Sequence, residues 1–416
     1  MNILITGANG FIGQALCKRL MAAGYQVRGA VRRADQMTAL PSGVEGAMIG
    51  DIGPETDWSE ALDGIEGIVH LAARVHVMCE SAADPLAAFR EVNVEGTKCL
   101  AIAAANASVK RFVYISSVKV NGERTRYSGQ WSVVSGQEKT EIGRKRDERP
   151  TSNIERPTSN EKDEELATPV PSAGATGQAD PHRLTQTFVR ATCSDKNSHR
   201  FAKEKAEDSS DPYTEMDVPE PRDPYAVSKW EAEQILRDIA ADTGLEVVVL
   251  RPPLVYGPGV KANFLRLLKL IHKGIPLPLG LVRNRRSMVY LGNLVSAIMT
   301  CLEHRRAAGE TFLISDGEDV STAELVQKMA SAMGRKATLL PVPLVMLKAL
   351  GLLTGKRAEI DRLTGSLCVD SSKIRELLDW QAPYTFEQGI QETVDWYQSA
   401  DYAEKDVSRK GAKAQR

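Results

Sequence analysis

The chain has 416 residues, 53 of them basic and 54 acidic, giving a formal net charge of −1, and 42% are hydrophobic. A balance this close to zero excludes the electrostatic footprint of a nucleic-acid binder and offers no overall attraction to a membrane surface, although a few local arginines can still hold a small acidic ligand. The six cysteines, Cys17, Cys79, Cys99, Cys193, Cys301 and Cys368, form no CxxC pair and no Cys/His cluster, so they read as reduced thiols of a cytoplasmic protein without a metal site.

The opening run MNILITG lacks the basic region and cleavage site of a signal peptide and predicts a strand entering a glycine turn. A helix near Phe11–Ala23 follows, then the strand QVRGAVR, the strand GIVHLAA, a helix near Pro85–Ala107 and the strand RFVYISS. After a long polar stretch the alternation resumes: a helix over Asp223–Asp242, the strand EVVVLR, a helix near Asn263–His272, and MVYLGNLVSAIMTCLEH. Strands alternating with helices predict a parallel sheet with crossover helices, the doubly wound α/β class. The apolar run LLPVPLVMLKALGLL, Leu339–Leu353, is too short to cross a bilayer and predicts a buried or amphipathic helix.

Residues 125–211 interrupt this pattern. Lys, Glu, Arg, Ser, Thr and Pro dominate there, no apolar period persists, and ERPTSNIERPTSNE (Glu148–Glu161) repeats six residues at an interval of seven. Pro150 and Pro157 exclude a continuous helix and hence a coiled coil. The stretch is expected to be a disordered insertion. It would divide a dinucleotide-binding domain into 1–124 and 212–260, followed by a smaller α/β domain over 261–400, some elements of which return to the first sheet, and a polar tail over 401–416.

TGANGFIG places Gly7, Gly10 and Gly13 between the first strand and a helix. That spacing permits a tight turn, close backbone approach to a pyrophosphate and close helix packing, with Phe11 and Ile12 in the first helical turn. The second strand ends at Val31 and is followed by Arg32 and Arg33, where an NAD-binding protein usually carries an acid. The two arginines suit a 2′-phosphate, which favours NADP(H) and leaves NAD(H) open; they also fit an ordinary charged surface. In PYAVSKW, Tyr225 and Lys229 stand four apart on one helical face, where an ammonium can lower the pKa of a phenol. Asp223 can cap this helix, and Pro224 suits its first position.

A glycine turn, a strand ending in Ser116 and Ser117, and a Tyr-Lys helix, in that order, resemble the extended short-chain dehydrogenase/reductases, and more narrowly the nucleotide-sugar epimerase/dehydratase family. The resemblance extends to VHLAA, VNVEGT, Asp51 with Ile52, LRPPLVYGPG and RRSMVYLGNL. It implies a Rossmann-type sheet with a small C-terminal substrate-binding domain, a UDP-sugar substrate, and a homodimer through two long helices. By the same resemblance Ser117, Tyr225 and Lys229 are catalytic. Gly7, Gly10, Phe11, Ile12, Gly13, Arg32, Arg33, Asp51, Ile52, Ala72, Ala73, Asn93, Lys229 and Pro253 line the cofactor. Ser117 and Arg286 touch the substrate, with Arg362 or Arg357 as a second diphosphate arginine.

Dehydratases of the family carry an Asp-Glu pair after the catalytic hydroxyl, whereas Val118 and Lys119 stand here, which disfavours dehydration. SSVKVNGE also looks like bacterial reductases of 4-keto UDP-sugars. The expectation is therefore reduction of a 4-keto sugar at carbon 4 with Tyr225 as proton donor; the close alternative is 4-epimerisation with retained NAD. A non-catalytic dinucleotide-sensing regulator is the alternative of another class, and reduction of a non-sugar carbonyl also stays open.

Overall fold

The computed structural model describes residues 1–75, 84–125 and 211–399. The first half runs β1 (Asn2–Thr6), α1 (Phe11–Ala22), β2 (Gln26–Val31), β3 (Glu45–Met48), α2 (Ser59–Leu62), β4 (Gly67–His70), α3 (Pro85–Arg90), α4 (Gly96–Asn106) and β5 (Arg111–Ile115). Next come α5 (Pro224–Thr243), β6 (Glu246–Arg251), β7 (Leu254–Tyr256), α6 (Ala262–His272), β8 (Arg286–Tyr290), α7 (Leu291–Glu303), β9 (Thr311–Leu313) and β10 (Asp319–Val320). The chain closes with α8 (Thr322–Ala332), α9 (Leu344–Leu353), α10 (Arg357–Thr364), α11 (Ser372–Leu378) and α12 (Phe386–Gln398).

Seven strands form one sheet in the order β3-β2-β1-β4-β5-β6-β9, every neighbouring pair parallel. Successive side chains of a strand point to opposite faces, and both faces are apolar. Ile3, Ile5, Val113 and Leu250 meet Leu16 of α1 and Leu294 of α7, whereas Leu4, Phe112 and Val249 meet Leu100 of α4 and Leu236 of α5. The chain winds outward from β1 to β3 and then returns to β4. The order reverses between β1 and β4, where doubly wound sheets open a crevice at the carboxyl ends of their strands. This is the expected Rossmann-type sheet.

A second sheet, β10-β8-β7, packs with α6, α8 and α12 around Tyr256, Phe264, Met288, Met329, Phe386 and Val394. Two departures from the sequence reading stand out. The helix expected over Pro85–Ala107 is broken by one π-helical turn at Glu91–Glu95. The helix expected within Leu339–Leu353 forms as α9, but it buries Leu347 and Gly351 and leaves its other apolar side chains exposed. Cys17 and Cys301 are buried free thiols, Cys99 is a half-buried one and Cys368 is buried; Cys79 and Cys193 lie outside the described residues.

The insertion expected over 125–211, apart from its first and last residues, and the tail over 401–416 also lie outside the described residues. The chain on either side of residues 126–210 is drawn together. Thr125 N–H donates to the Ser366 carbonyl at 3.1 Å and Tyr213 N–H to that of Cys368 at 2.8 Å. Tyr213 Oη donates to the Arg124 carbonyl at 2.6 Å. A connection with its ends already fixed changes stability slowly with length, by about 0.6 kcal/mol per doubling. Replacing residues 126–210 with a short Gly-Ser linker should therefore leave the melting temperature within a few degrees of the parent; a drop well beyond that would show that the segment supports the fold.

Candidate active site

The glycine turn is tight enough to exclude side chains. Gly7 adopts φ +68°, and a Cβ on it would stand 3.1 Å from the Ala72 nitrogen; a Cβ on Gly13 would stand 2.2 Å from the Gly7 carbonyl oxygen. Gly10 precedes α1 without a side-chain cap, so the first N–H groups of the helix, at Phe11, Ile12 and Gly13, are offered to the crevice. Backbone donors at a helix N-terminus, approached over bare glycine, fit the pyrophosphate of a dinucleotide.

The loop after β4 is set by a buried chain of hydrogen bonds. Thr6 Oγ1 accepts from the N–H groups of Leu71 and Ala72, each at 3.1 Å, and lies 2.7 Å from His70 Nδ1. His70 Nε2 lies 3.0 Å from Thr97 Oγ1, which donates to the Asn93 carbonyl at 2.7 Å. With Thr6 accepting twice, its proton goes to Nδ1, and the ring is neutral with its own proton on Nε2. Asn93, inside the π-helical turn, accepts from Arg74 N–H at 2.7 Å and reaches Ser228 of α5 at 3.0 Å. The turn thus aims Asn93 at the loop carrying Ala72 and Ala73, in keeping with the occurrence of π-bulges at functional sites.

Tyr225 and Lys229 lie on α5, which starts as its sequence dictates: Asp223 accepts from Ala226 N–H at 2.7 Å and Pro224 opens the first turn. Lys229 is buried and donates to the Ile115 carbonyl at 2.8 Å, with its ammonium 4.5 Å from the centre of the Tyr114 ring. Burial draws its pKa down to about 7, and the Glu233 carboxylate acts in the opposite direction. The Tyr225 phenol departs from expectation: burial and then the Asp223 carboxylate push its pKa up. Lys229 is turned to the Ile115 carbonyl, and its ammonium is itself disfavoured by burial. A neutral phenol is a proton donor. Ser117 follows β5 and caps a short turn, its Oγ accepting from Lys119 N–H at 3.3 Å.

Behind these groups Glu233, fully buried, accepts from Ser116 Oγ at 2.5 Å and from Arg251 at 3.0 and 2.6 Å. Arg251 also donates to Asn121 Oδ1 at 3.0 Å. Lys119 forms an ion pair with Asp223, tying the loop after Ser117 to the N-terminus of the tyrosine helix. That gives Lys119 a position the sequence did not supply. Glu233 was legible in principle, because Tyr225, Lys229 and Glu233 recur every four residues along one face.

Gly7, Ala72, Ser117 and Pro253 follow β1, β4, β5 and β6, adjacent strands of one parallel sheet, and so share its carboxyl edge. Arg32 and Arg33 follow β2 at the same edge. Arg32 pairs with Asp51 at 2.8 Å, and Arg33 with Asp35 at 3.1 Å. Ile52 is pressed against α4, where a Cβ on Gly96 would stand 2.4 Å from its methyl. Arg286, on β8, donates to the Arg362 carbonyl, so these two residues meet. Arg357 instead faces Asp361 at 3.8 Å. Leu367 N–H donates to the Arg285 carbonyl at 2.9 Å, and Leu367 packs with Val118, linking the arginine strand to the serine loop.

A parallel doubly wound sheet with this edge defines the Rossmann-type class, and comparison with known proteins is more specific. The model of the NAD dependent epimerase/dehydratase family matches residues 3–145, and that of GDP-mannose 4,6 dehydratase matches residues 206–393. UDP-glucose 4-epimerase of Vibrio cholerae is 37% identical over 404 residues, covering 96% of either chain. The chain belongs to the NAD-dependent epimerase/dehydratase family. An N-acetyl-alpha-D-glucosaminyl-diphospho-ditrans,octacis-undecaprenol 4-epimerase of Escherichia coli O157:H7 is 24% identical over 95% of either chain. In fold, the chain is similar to UDP-glucuronic acid 4-epimerase from Bacillus cereus in complex with NAD, with a TM-score of 0.60, 19% identity, and 95% of this chain and 98% of that one covered.

Two predictions follow from the buried groups. Arg251→Met leaves the Glu233 carboxylate buried without its partner and should cost about 3–5 kcal/mol in urea unfolding, part of which the double variant Arg251→Met/Glu233→Leu recovers. A single-variant loss under about 1 kcal/mol would mean that the pair is not what holds this region. His70 is drawn down from 6.5 to about 3, chiefly by burial and then by Lys229. Between those values the unfolded chain holds the extra proton, so stability falls as pH is lowered through the window, at up to about 1.4 kcal/mol per pH unit for this proton. His70→Gln should flatten the unfolding free energy between pH 6 and 4 relative to the parent; parallel curves would contradict it.

Proposed function

We propose that the protein acts at carbon 4 of a sugar carried on a diphosphate, with UDP-sugars as the substrate class and 4-epimerisation as the reaction. The observation carrying this reading is the convergence of the glycine turn, Ser117 and the Tyr225/Lys229 helix on one sheet edge. The V. cholerae relative supports it across 96% of the chain. A bound nicotinamide dinucleotide supplies hydride uptake and return. Tyr225 Oη, as phenolate, would take the proton of the C4 hydroxyl and give it back, Ser117 Oγ would hydrogen-bond the same oxygen, and Lys229 would meet the ribose beside the phenol. Arg286 and Arg362 face the diphosphate, bidentate arginine contacts being suited to phosphate. A homodimer through α4 and α5 belongs to the same proposal.

Reduction of a 4-keto sugar with NADPH, ranked first on the sequence, is the second reading. Arg32 and Arg33 and a neutral Tyr225 phenol favour it. The pairing of Arg32 with Asp51 and of Arg33 with Asp35 reduces what the arginines offer a 2′-phosphate, and this moves epimerisation ahead. The intact Ser, Tyr and Lys set speaks against a non-catalytic regulator.

The test is made on purified full-length protein. Nucleotide released on denaturation is expected to be NAD in near-stoichiometric amount, and UDP-glucose, UDP-N-acetylglucosamine and an undecaprenyl-diphosphate sugar are each followed for 4-epimer by chromatography. The last is included because the E. coli relative is named for it. Tyr225→Phe should lower turnover by about 10²–10⁴-fold, the usual contribution of a positioned acid/base, with bound nucleotide unchanged. Nucleotide-free protein that consumes NADPH against a 4-keto sugar would establish the reductase instead, and wild-type turnover by Tyr225→Phe would remove the phenol from the mechanism.

A further inference from the structure

Helix α9 reads LVMLKALGLL, and one side of it is already occupied. Leu347 enters the core of the second sheet, and Gly351 lies so close to α10 that a Cβ there would stand 2.8 Å from Ile360 Cδ1. At about 100° per residue, Val345, Met346, Ala349, Leu352 and Leu353 share the opposite side, with Leu350 at its margin. All six are exposed, Val345 by 79% and Leu353 by 85%. The apolar surface continues at the approach to the helix, where Gly280 N–H donates to the Leu340 carbonyl at 3.0 Å and both Leu281 and Leu340 are exposed. Contiguous apolar surface of this kind marks an interaction site.

Charge identifies the occupant. Between Arg335 and Ala358 there are five basic residues and no acidic one, in a chain whose net charge is −1. Lys348 stands at the flank of the apolar side and Lys356 just past its C-terminal end, both exposed, whereas Arg357 faces Asp361. A symmetric contact with a second copy would bring the cations of both copies to one apolar interface. A surface that is apolar below and anionic above accepts both features: the helix lies in the headgroup plane with its apolar side inserted and its cations at the phosphates. Spanning is excluded, because no described helix is long and apolar enough to cross a membrane. We propose that α9 docks the protein peripherally on an anionic lipid bilayer. The proposal is independent of which sugar is turned over. α10, which follows directly, carries Arg362 beside Arg286, so the docked face adjoins the candidate diphosphate site.

The experiment is flotation of the full-length protein with phosphatidylcholine vesicles and with vesicles that also contain phosphatidylglycerol. Binding is expected to the anionic vesicles, to weaken in high salt, and to fall several-fold on phosphatidylcholine alone. Val345→Gln with Leu353→Gln should weaken it by roughly tenfold or more, since two large apolar contacts are removed. Lys348→Ser with Lys356→Ser should erase the preference for anionic lipid. Both variants should keep the parent melting temperature, the four side chains being exposed. Failure of the unmodified protein to float, or flotation untouched by the glutamine pair, overturns the proposal. A glutamine pair that instead changes the mass in solution, without vesicle binding by the parent, would give the face to a second copy. UDP-sugar turnover, followed in parallel without vesicles, tests the catalytic reading separately.

Discussion

A carboxylate withdrawn from water needs partners on every side, and Glu233 finds them on the structures that form the candidate active site. Ser116 extends from the end of β5, Arg251 from the end of β6, and Lys229 lies one turn before Glu233 on α5 within its electrostatic reach. Each interaction ties a different segment to the same buried charge. Two strand ends and the tyrosine helix are therefore held in register by a group that is itself fully buried. Arg251 passes the constraint to Asn121, and the Lys119–Asp223 pair closes it from the other side. The low-dielectric setting that makes an unpaired charge costly makes this arrangement specific.

A second network does the same for the cofactor side. Thr6, His70, Thr97 and Asn93 connect the ends of β1 and β4 to the π-helical turn, and Ser228 joins that chain to α5. Both networks thus terminate on one helix. The positions of Tyr225 and Lys229 depend on α5 as a rigid body, started by Asp223 and Pro224 and ended at Gly244 in the left-handed region.

Much of this was legible because its causes are local. The strand NILIT, the glycine turn and the Asp223-Pro224 start of α5 depend on neighbouring residues, and the structure has them where the sequence put them. What escaped depends on distance. The helical spacing that puts Glu233 on the face of Tyr225 and Lys229 does not reveal Ser116 and Arg251, which reach it from positions 117 and 18 residues away. The two arginines after β2 suggested a free phosphate site, and Asp51, from beyond β3, takes part of Arg32. The break in the helix over Pro85–Ala107 falls at Glu91–Glu95, just before Gly96, and no proline announces it. Asn93 gains from it a backbone partner in the β4 loop, and that partner is far away in sequence. Leu339–Leu353 has enough apolar residues for a buried helix, yet the core of the second sheet accepts one leucine of α9.

The clasp between Tyr213 and Arg124 bears on how the repeat in the chain could have arisen. The segment between its two ends enters and leaves at fixed points, so its length is not transmitted to Ser117 or Tyr225. Glu148–Glu161 repeats in steps of seven residues, and a duplication of seven codons preserves the reading frame. Slippage during DNA replication can therefore lengthen or shorten this part of the gene without parting Thr125 from Ser366 or Tyr213 from Arg124. Closely related strains are then expected to differ there in number of repeats while agreeing on either side of it.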